Sequence, residues 1–389
     1  MQISRVKLKN WRNFKQAEAA LGDVTYVIGA NASGKSNFLD VFRFLRDLAK
    51  TQGGGLQKAV HDRGGLAKIR CLHARRDPEV RIEVHLVESM DDEYPAWRYA
   101  LALRYEGAGR NRPIVAAEEV YQRVDGKEKC LLLRPNPSDE RDKERLTQTS
   151  IEQIQSNQSF RALAEHFAAT TYLHLVPQLL KFGEFIGGRQ LDNDPFGQAF
   201  LERVATASGK VRNSRLRRIQ KALAKAIPQF EEIRFVQDVT TGRPHLEAKY
   251  THHRPLAGWQ KEDQFSDGTL RLIALFWLLM EGDDLLLLEE PELSLNEEII
   301  RNLPRLIDTV RRSTKRRQRQ IVITTHSQAL LEDKAIDGRG VLRFEPANEG
   351  TEIHSPTEDE LAAMGSGLSA AEVLMPKSYP KGARQMALS

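Results

Sequence analysis

The chain has 389 residues, of which 40% are hydrophobic and 29% charged, with a net charge of +5 and a sequence pI near 9.1. This length allows two to three domains, and no apolar run approaches the roughly 20 residues that a membrane-spanning helix needs. Two well-separated cysteines exclude a disulfide scaffold and a cysteine metal site, so we expect a cytoplasmic protein without a membrane partner.

The first informative segment along the chain is a glycine-rich turn between a strand and a helix. Residues 25–28 are typical of a short buried strand, and residues 37–45 have helical spacing. Between them, residues 29–36 read GANASGKS, which matches the phosphate-loop pattern of ATP- and GTP-binding proteins. Backbone N–H groups there would face a polyphosphate, Lys35 would reach the β- and γ-phosphates, and the Ser36 hydroxyl would bind Mg²⁺.

Strand patterns dominate the next part of the chain. Residues 80–133 contain four β-branched and aromatic segments separated by turns, which predict an antiparallel sheet beside the nucleotide-binding sheet. We expect the glycine-rich residues 51–69 before it to be a connecting loop. Residues 151–168 and 195–227 have helical spacing, and residues 170–176 between them read as a strand.

Two stretches concentrate the positive charge. They comprise Arg212, Arg215, Arg217, Arg218, Lys221 and Lys225 in the first, and Arg311, Arg312, Lys315, Arg316, Arg317 and Arg319 in the second. Such clusters neutralise nucleic-acid phosphates, but they also form ordinary solvated helix faces. Charge alone leaves both interpretations open, with an acidic partner protein as a third.

Two buried strands end in polar residues that suit hydrolysis. Four leucines indicate that residues 284–288 are buried on both faces, and this strand delivers Glu289 and Glu290 to the sheet edge where ligands bind. Glu289 would hold the Mg²⁺ shell, and Glu290 would be the general base for the attacking water. The apolar residues 320–324 similarly lead to His326, which would contact the γ-phosphate or that water, although a structural histidine is the alternative.

A third polar element opens a helix. Ser266 has the position of a helix cap, and with Gly268 and the open N–H groups it would form a second anion site. Because the chain already has a phosphate loop, we interpret this site as acting on the nucleotide of a second copy. An ordinary capped helix is the alternative.

In this order the motifs resemble those of ABC-type ATPases of the SMC, RecF and OLD group, especially the small "AAA family ATPases" of bacterial defence loci. The resemblance covers residues 1–345. It pairs residues 8–14 with the N-terminal strand of those proteins, residues 29–37 with Walker A, Gln178 with the Q-loop, residues 265–271 with the signature, residues 285–290 with Walker B, residues 293–296 with the D-loop and residues 324–327 with the switch histidine.

The resemblance implies an α/β, ABC-ATPase-like P-loop fold, with a mixed sheet, an antiparallel β lobe and a helical lobe. The implied segments are an N-terminal core with the β lobe (1–150), a helical lobe (151–265), the signature-to-switch region (266–345) and a C-terminal tail (346–389). The implied site residues are Lys35, Glu290 and His326 for catalysis; Arg12, Asn31, Ser33, Gly34, Lys35, Ser36, Asn37, Ser266 and Gly268 for ATP; and Ser36, Gln178 and Glu289 for Mg²⁺.

Three departures from the family pattern refine this expectation. Glu289 stands where Asp is usual, and Ser294 and Asn296 stand where two histidines are common. Only 63 residues follow His326 (389 − 326), too few for the nuclease domain of full OLD proteins. We therefore expect an ATP-gated sensor or motor that pairs with itself and serves a separate effector, such as a nuclease encoded nearby, in anti-phage defence. A RecF-like ATPase acting on DNA, a transporter subunit and a non-hydrolysing scaffold are the alternatives.

Overall fold

The computed structural model describes residues 1–107, 110–183, 186, 191, 194–251, 258–282, 284–312 and 319–378. Its strands are β1 (Gln2–Trp11), β2 (Phe14–Ala20), β3 (Val24–Gly29), β4 (Val80–Val87), β5 (Trp97–Gly107), β6 (Arg110–Val124), β7 (Lys127–Arg134), β8 (Thr171–Leu173), β9 (Phe230–Gln237), β10 (Pro244–Tyr250), β11 (Gln260–Lys261), β12 (Leu286–Glu289), β13 (Ile321–Thr325), β14 (Val341–Ala347) and β15 (Gly350–His354). Its helices are α1 (Lys35–Ala49), α2 (Leu56–His61), α3 (Leu66–Ile69), α4 (Pro137–Arg141), α5 (Arg161–Ala168), α6 (Pro177–Phe182), α7 (Phe200–Thr206), α8 (Gly209–Ala226), α9 (Asp267–Leu279), α10 (Glu297–Arg312), α11 (Glu358–Gly365) and α12 (Ala370–Leu374).

The sheet that carries the phosphate loop is mixed, with the strand order β15-β14-β3-β13-β12-β8. All neighbours in it are parallel except β15, which pairs antiparallel with β14. Successive side chains of its central strands enter opposite cores, as Leu287 and Val322 do on one side and Leu286 and Ile323 on the other. The run of leucines predicted to be buried on both faces is therefore confirmed.

The predicted antiparallel lobe is also confirmed, as a six-stranded sheet with the order β2-β1-β4-β5-β6-β7. Its apolar side chains and those of α1 and α5 form one core with the first face of the mixed sheet. The second face packs against α7 to α10 and against a three-stranded sheet with the order β11-β10-β9. These layers place α1 between the two large sheets, where its N-terminus meets the phosphate loop.

The connecting loop predicted for residues 51–69 is wrong, because this segment contains α2 and α3. Leu56, Val60 and Ile69 are buried in the first core, so apolar spacing outweighed the local glycine content. The segment that we predicted as a C-terminal tail contains the helices α11 and α12 in its described part. The boundary that we placed at residue 345 falls inside β14, and the four-segment division stays a prediction.

Candidate nucleotide-binding and hydrolysis site

The phosphate-loop residues form the tight turn between β3 and α1. Gly34 immediately precedes α1 with φ of 96°, in the left-handed region that glycine favours. A Cβ on Gly29 would lie 2.6 Å from the carbonyl oxygen of Phe344, so β14 leaves no room for a side chain there. Asn31 is exposed in the loop, while Ser33 is buried beneath it. The turn thus directs the open N–H groups of α1 toward the loop, as an anion site requires.

Lys35 is held by carbonyl groups of its own loop. Its Nζ donates to the Gly29 oxygen at 2.9 Å and to the Ala30 oxygen at 3.0 Å. Burial lowers the pKa of Lys35 to about 8, although the nearby Glu290 and Glu289 carboxylates favour its charged form. A polyphosphate would offer the ammonium group stronger acceptors than these carbonyls.

Ser36 and Glu289, both predicted to hold Mg²⁺, lie in direct contact. Ser36 Oγ donates to Glu289 Oε1, and Tyr172 Oη donates to the other carboxylate oxygen, Oε2, at 2.5 Å. Tyr172 pairs with Leu287 across β8 and β12, so its side chain lies on the same face of the sheet as Glu289. Burial and the Glu289 carboxylate raise the pKa of Tyr172, so the phenol keeps its proton and donates. Sequence reasoning missed Tyr172.

The three residues predicted for catalysis also meet. His326 Nε2 lies 3.0 Å from Glu290 Oε1, and His326 Nδ1 lies 3.4 Å from Lys35 Nζ. Burial and the Lys35 ammonium lower the pKa of His326 below its usual range, which favours the neutral imidazole. Glu290 has φ of 46°, a left-handed conformation that is uncommon for a non-glycine residue and that clusters at functional sites.

Two further buried side chains position this acidic turn. Glu292 Oε1 accepts hydrogen bonds from Thr325 Oγ1 at 2.5 Å and from the backbone N–H of His326 at 3.3 Å. Arg271 of α9 donates through Nη2 to the carbonyl oxygen of Glu290 at 3.0 Å. The turn after β12 is therefore tied both to the predicted switch histidine, which follows β13, and to the predicted signature helix. Neither contact was predicted from the sequence.

The N-terminal strands and the β14–β15 hairpin support the loop from outside. Asn13 Nδ2 donates to the Ser33 carbonyl oxygen at 3.2 Å and to Thr351 Oγ1 at 2.5 Å, and Thr351 Oγ1 donates to the same Ser33 oxygen at 2.9 Å. Arg12 donates through Nη2 to Asp40 Oδ2 on α1 at 2.9 Å and lines a groove beside Ser36, and its predicted contact with ATP stays a prediction. Neither Asn13 nor Thr351 was assigned a role from sequence.

Three predicted residues are not brought to the loop within one chain. Ser266 caps α9, accepting from the N–H of Thr269 at 3.1 Å, and a Cβ on Gly268 would lie 2.8 Å from the Ser294 carbonyl oxygen. Gln178 is exposed on α6. Among the residues that the structure describes, no hydrogen bond joins Ser266, Gly268 or Gln178 to the phosphate loop, and the roles predicted for them stay predictions.

A groove begins at the phosphate loop and follows α1. Its volume of about 820 Å³ is within the usual size range of ligand sites. Ser36, Asn37 and Arg43 line it from α1, and Tyr172 lines it from β8. Asn37 Nδ2 donates to Asn13 Oδ1 at 2.8 Å, so this predicted ATP-binding residue also contacts the turn between β1 and β2.

Part of the positive charge proves to be structural. Arg215 packs 4.9 Å from the Trp277 ring centroid and pairs with Glu281 at 3.3 Å. Arg319 is buried and donates to the carbonyl oxygens of Leu278 and Glu281 at the end of α9. The exposed members on α8 are Arg217, Lys221 and Lys225. Lys315, Arg316 and Arg317 lie outside the described residues.

Across the described ranges, none of the helices combines the length and apolar character that crossing a bilayer requires. The same residues contain no cluster of three or more His, Cys, Asp or Glu side chains that would hold a metal ion alone. Ser36 and Glu289 nevertheless offer a hydroxyl and a carboxylate side by side. Mg²⁺ in phosphate-transfer sites takes such a small set of protein oxygens and completes its shell with phosphates and water, so the residues present fit this ion.

Comparisons with known proteins identify the family of the chain. The family model described as "AAA domain, putative AbiEii toxin, Type IV TA system" matches residues 24–332. Two curated relatives are DNA replication and repair protein RecF of Chlamydia caviae, 46% identical over 46 residues, and of Agathobacter rectalis, 33% identical over 88 residues. These matches cover 12% and 22% of this chain and only 12% and 24% of the two relatives.

Solved structures with a similar fold are head domains of SMC proteins. The SmcHead bound to the C-winged helix domain of ScpA matches with a TM-score of 0.56 and 14% identity, over 92% of this chain and 99% of that one. The Smc head domain with an extended coiled coil, bound to the C-terminal domain of ScpA derived from Pyrococcus furiosus, matches with a TM-score of 0.50 and 12% identity, over 94% and 98%. At this identity the likeness shows the fold, which confirms the ABC-ATPase-like architecture predicted from the motifs.

Proposed function

We propose that ATP opens and closes a dimer of this chain, which belongs to the family described as "AAA domain, putative AbiEii toxin, Type IV TA system". The chain is an ATP-hydrolysing ATPase of the SMC and RecF type. The observation that carries the proposal is the convergence of two contacts at one sheet edge. Ser36 meets Glu289 there, and His326 lies between Lys35 and Glu290.

The proposed hydrolysis uses these side chains in distinct roles. Lys35 would leave its loop carbonyls and donate to the β- and γ-phosphates. Mg²⁺, held by Ser36 and Glu289, would supply neutralisation of the phosphate charge. Glu290 would take the proton from the water whose oxygen attacks the γ-phosphorus, while the neutral His326 would orient that water or the phosphate.

The dimer would complete each site with the signature of the second copy. Ser266 is exposed at the start of α9, a helix of 13 residues whose N-terminal N–H groups favour an anion. Ser266 and Gly268 make no described contact with the phosphate loop of their own chain. They would therefore bind the γ-phosphate that a partner holds. Hydrolysis would remove this shared phosphate and release the pair.

We further propose that the ATPase cycle serves a separate effector protein, such as a nuclease encoded nearby, in cytoplasmic anti-phage defence. The family description includes a toxin of a toxin–antitoxin system, which supports a conflict-related role. The matched SMC head is bound to a domain of another protein, ScpA, which supports the use of a separate partner. The chemistry on the target would then lie outside this chain.

A second candidate is a RecF-like ATPase that acts on DNA directly. The RecF matches favour it, as do the exposed cations of α8. Its discriminating property is DNA binding that depends on salt and strengthens with ATP.

Glu290→Gln tests the proposed base. The variant keeps the loop and Lys35, so it should bind ATP normally and lose about 10²- to 10⁴-fold in turnover, the usual share of general acid–base catalysis. Steady-state phosphate release and equilibrium ATP binding measure the two properties separately. Turnover close to that of the unmodified chain would remove Glu290 from this role.

The same variant, which should trap ATP, tests the dimer. Light scattering should show pairing with ATP and little without it. Adding Ser266→Arg should abolish the pairing, because a long side chain would fill the second phosphate site. Ser208→Arg is the matched control, since Ser208 is also an exposed serine immediately before a helix, α8. Equal pairing with and without ATP, or equal loss in both arginine variants, would contradict nucleotide gating.

A further inference from the structure

Tyr172 contacts the proposed metal-holding carboxylate from a strand to which no site residue was assigned. It is the second residue of β8 and is 7% exposed. Its hydroxyl donates to Glu289 Oε2 at 2.5 Å, while Ser36 Oγ donates to Glu289 Oε1. Both oxygens of Glu289 are therefore oriented, one by α1 and the other by β8.

Arg43 covers the tyrosine ring. Its guanidinium carbon lies 4.2 Å from the ring centroid, and its Nε is buried without a hydrogen-bond partner. Arg43 follows Ser36 by seven residues, close to two turns of α1, so both side chains lie on the same side of that helix. Ser36, Glu289, Tyr172 and Arg43 thus form a closed set that begins and ends on α1.

The length of Glu289 makes such support necessary. A glutamate has one more rotatable bond than the aspartate that is usual at this position, so its carboxylate samples more positions unless a neighbour fixes it. Gln178, predicted to help at the metal, makes no hydrogen bond to Glu289 in the described part of the chain. Tyr172 makes that hydrogen bond, and partners behind a metal ligand orient it and tune its affinity.

We propose that Tyr172 is a positioning residue for the Mg²⁺ site, acting through the Glu289 carboxylate, and that Arg43 holds the tyrosine ring in place. This inference rests on the proposed assignment of Ser36 and Glu289 to the metal. The inference also gives a role to the groove along α1, because Tyr172 and Arg43 in the wall of this groove would support the metal site.

The test measures metal affinity rather than turnover. Mn²⁺ serves as the probe for the full chain bound to a non-hydrolysable ATP analogue, and electron paramagnetic resonance reports the free Mn²⁺. Tyr172→Phe, which removes only the hydroxyl, should weaken Mn²⁺ binding by about 10- to 100-fold, the usual effect of losing a partner behind a metal ligand. Metal-free binding of a fluorescent ATP analogue should not change. Tyr26→Phe is the matched control, because Tyr26 is buried in β3 of the same sheet.

A double-mutant cycle shows whether the effect passes through Glu289. Glu289→Asp shortens the side chain and withdraws it from the phenol, so adding Tyr172→Phe to this variant should cause little further loss. The same fold loss in both backgrounds, or unchanged Mn²⁺ affinity in Tyr172→Phe, would overturn the inference. If Glu289→Ala also left Mn²⁺ affinity unchanged, the proposed metal site itself would be wrong.

Arg43→Gln keeps the inference testable should Tyr172→Phe not fold. Arg43 is only half-buried, and loss of its charge over the ring should weaken Mn²⁺ binding by about two- to fivefold, the range of an exposed cation–π contact. Unchanged Mn²⁺ affinity in this variant would then count against the proposal.

Discussion

Lys35 carries its charge among carbonyl oxygens, with 7% of its surface exposed and a pKa lowered to about 8 by burial. Phosphate oxygens stabilise the ammonium form, so the pKa of Lys35 must rise when ATP binds. The pKa of Lys35 is then higher in the complex than in the free protein. At a pH where free Lys35 is partly deprotonated, ATP binding therefore takes up a proton onto Lys35. Affinity is then full below about pH 8 and falls as the pH rises through that value.

Calorimetry in two buffers of different ionisation enthalpy measures this uptake. We expect ATP binding to take up little proton on Lys35 at about pH 7 and a substantial fraction at about pH 9. Lys35→Arg should remove the uptake at the higher pH, because arginine stays protonated there. Equal uptake in the arginine variant would assign the proton to another group.

At the scale of single residues, the sequence pointed to candidate side chains whose spacing is local, and the structure brings these side chains together. Lys35 and Ser36 belong to one pattern, and Glu289 with Glu290 follows one apolar run, so each pair needed no knowledge of the fold. Tyr172 was not found, because it lies 117 residues from Glu289 and its contact exists only where β8 pairs with β12. A tyrosine in a short strand is ordinarily part of the core, and nothing in its neighbours indicates otherwise.

At the scale of elements, the central strands were predictable because burial on both faces of a parallel sheet leaves an apolar run in the sequence. The segment with α2 and α3 was not predictable, because its glycines suggested a loop. Its few apolar residues form no recognisable pattern in the sequence, and only the folded structure shows that they are buried in the core. The boundary predicted at residue 345 divided the β14–β15 hairpin, because the contacts that hold this hairpin are also distant in the sequence. Its link to the phosphate loop joins Thr351 to Ser33 over 318 residues of sequence.

This hairpin should set the affinity for ATP, because it fixes the backbone of the phosphate loop. Thr351→Val keeps the shape and removes the hydroxyl that bridges Asn13 and Ser33. Loss of these bonds should weaken ATP binding by about two- to tenfold, the equivalent of about 0.5–1.5 kcal/mol for a typical hydrogen bond. Thr309→Val is the control, since the Thr309 hydroxyl bonds only within its own helix, α10. Unchanged ATP affinity in a Thr351→Val protein with normal thermal unfolding would contradict the role.

At the scale of the whole molecule, the order of the motifs predicted the architecture that the SMC head domains share. The exposure of the charged side chains was less predictable. The sequence does not show whether an arginine packs on an aromatic ring or faces water. Arg215 and Arg319 are held inside the fold, whereas Arg217, Lys221 and Lys225 of α8 are exposed. Among the described members of the α8 cluster, this exposed set is the part best placed to meet a nucleic acid.

The RecF-like alternative therefore makes a sharp prediction for these three cations. Each cation that neutralises a phosphate releases counterions, so the affinity for a DNA duplex should fall steeply with salt. Reversing Arg217, Lys221 and Lys225 to Glu should weaken binding to all duplex sequences alike. It should also lower the slope of log affinity against log salt by about 3, because each neutralised phosphate contributes roughly 0.9 to that slope. Gel-shift titrations over a range of salt concentrations, with ATP present, measure both effects.

The matched control changes the same amount of charge on the antiparallel lobe. Lys127 and Lys129 of β7 and Lys143 beyond it are all exposed, and reversing them should leave DNA affinity nearly unchanged if α8 tracks the phosphate backbone. Equal weakening in both triple variants would show that net charge alone governs binding. No binding by the unmodified chain at low salt would remove the DNA alternative, and the exposed face of α8 would then be left for an acidic surface of a partner protein.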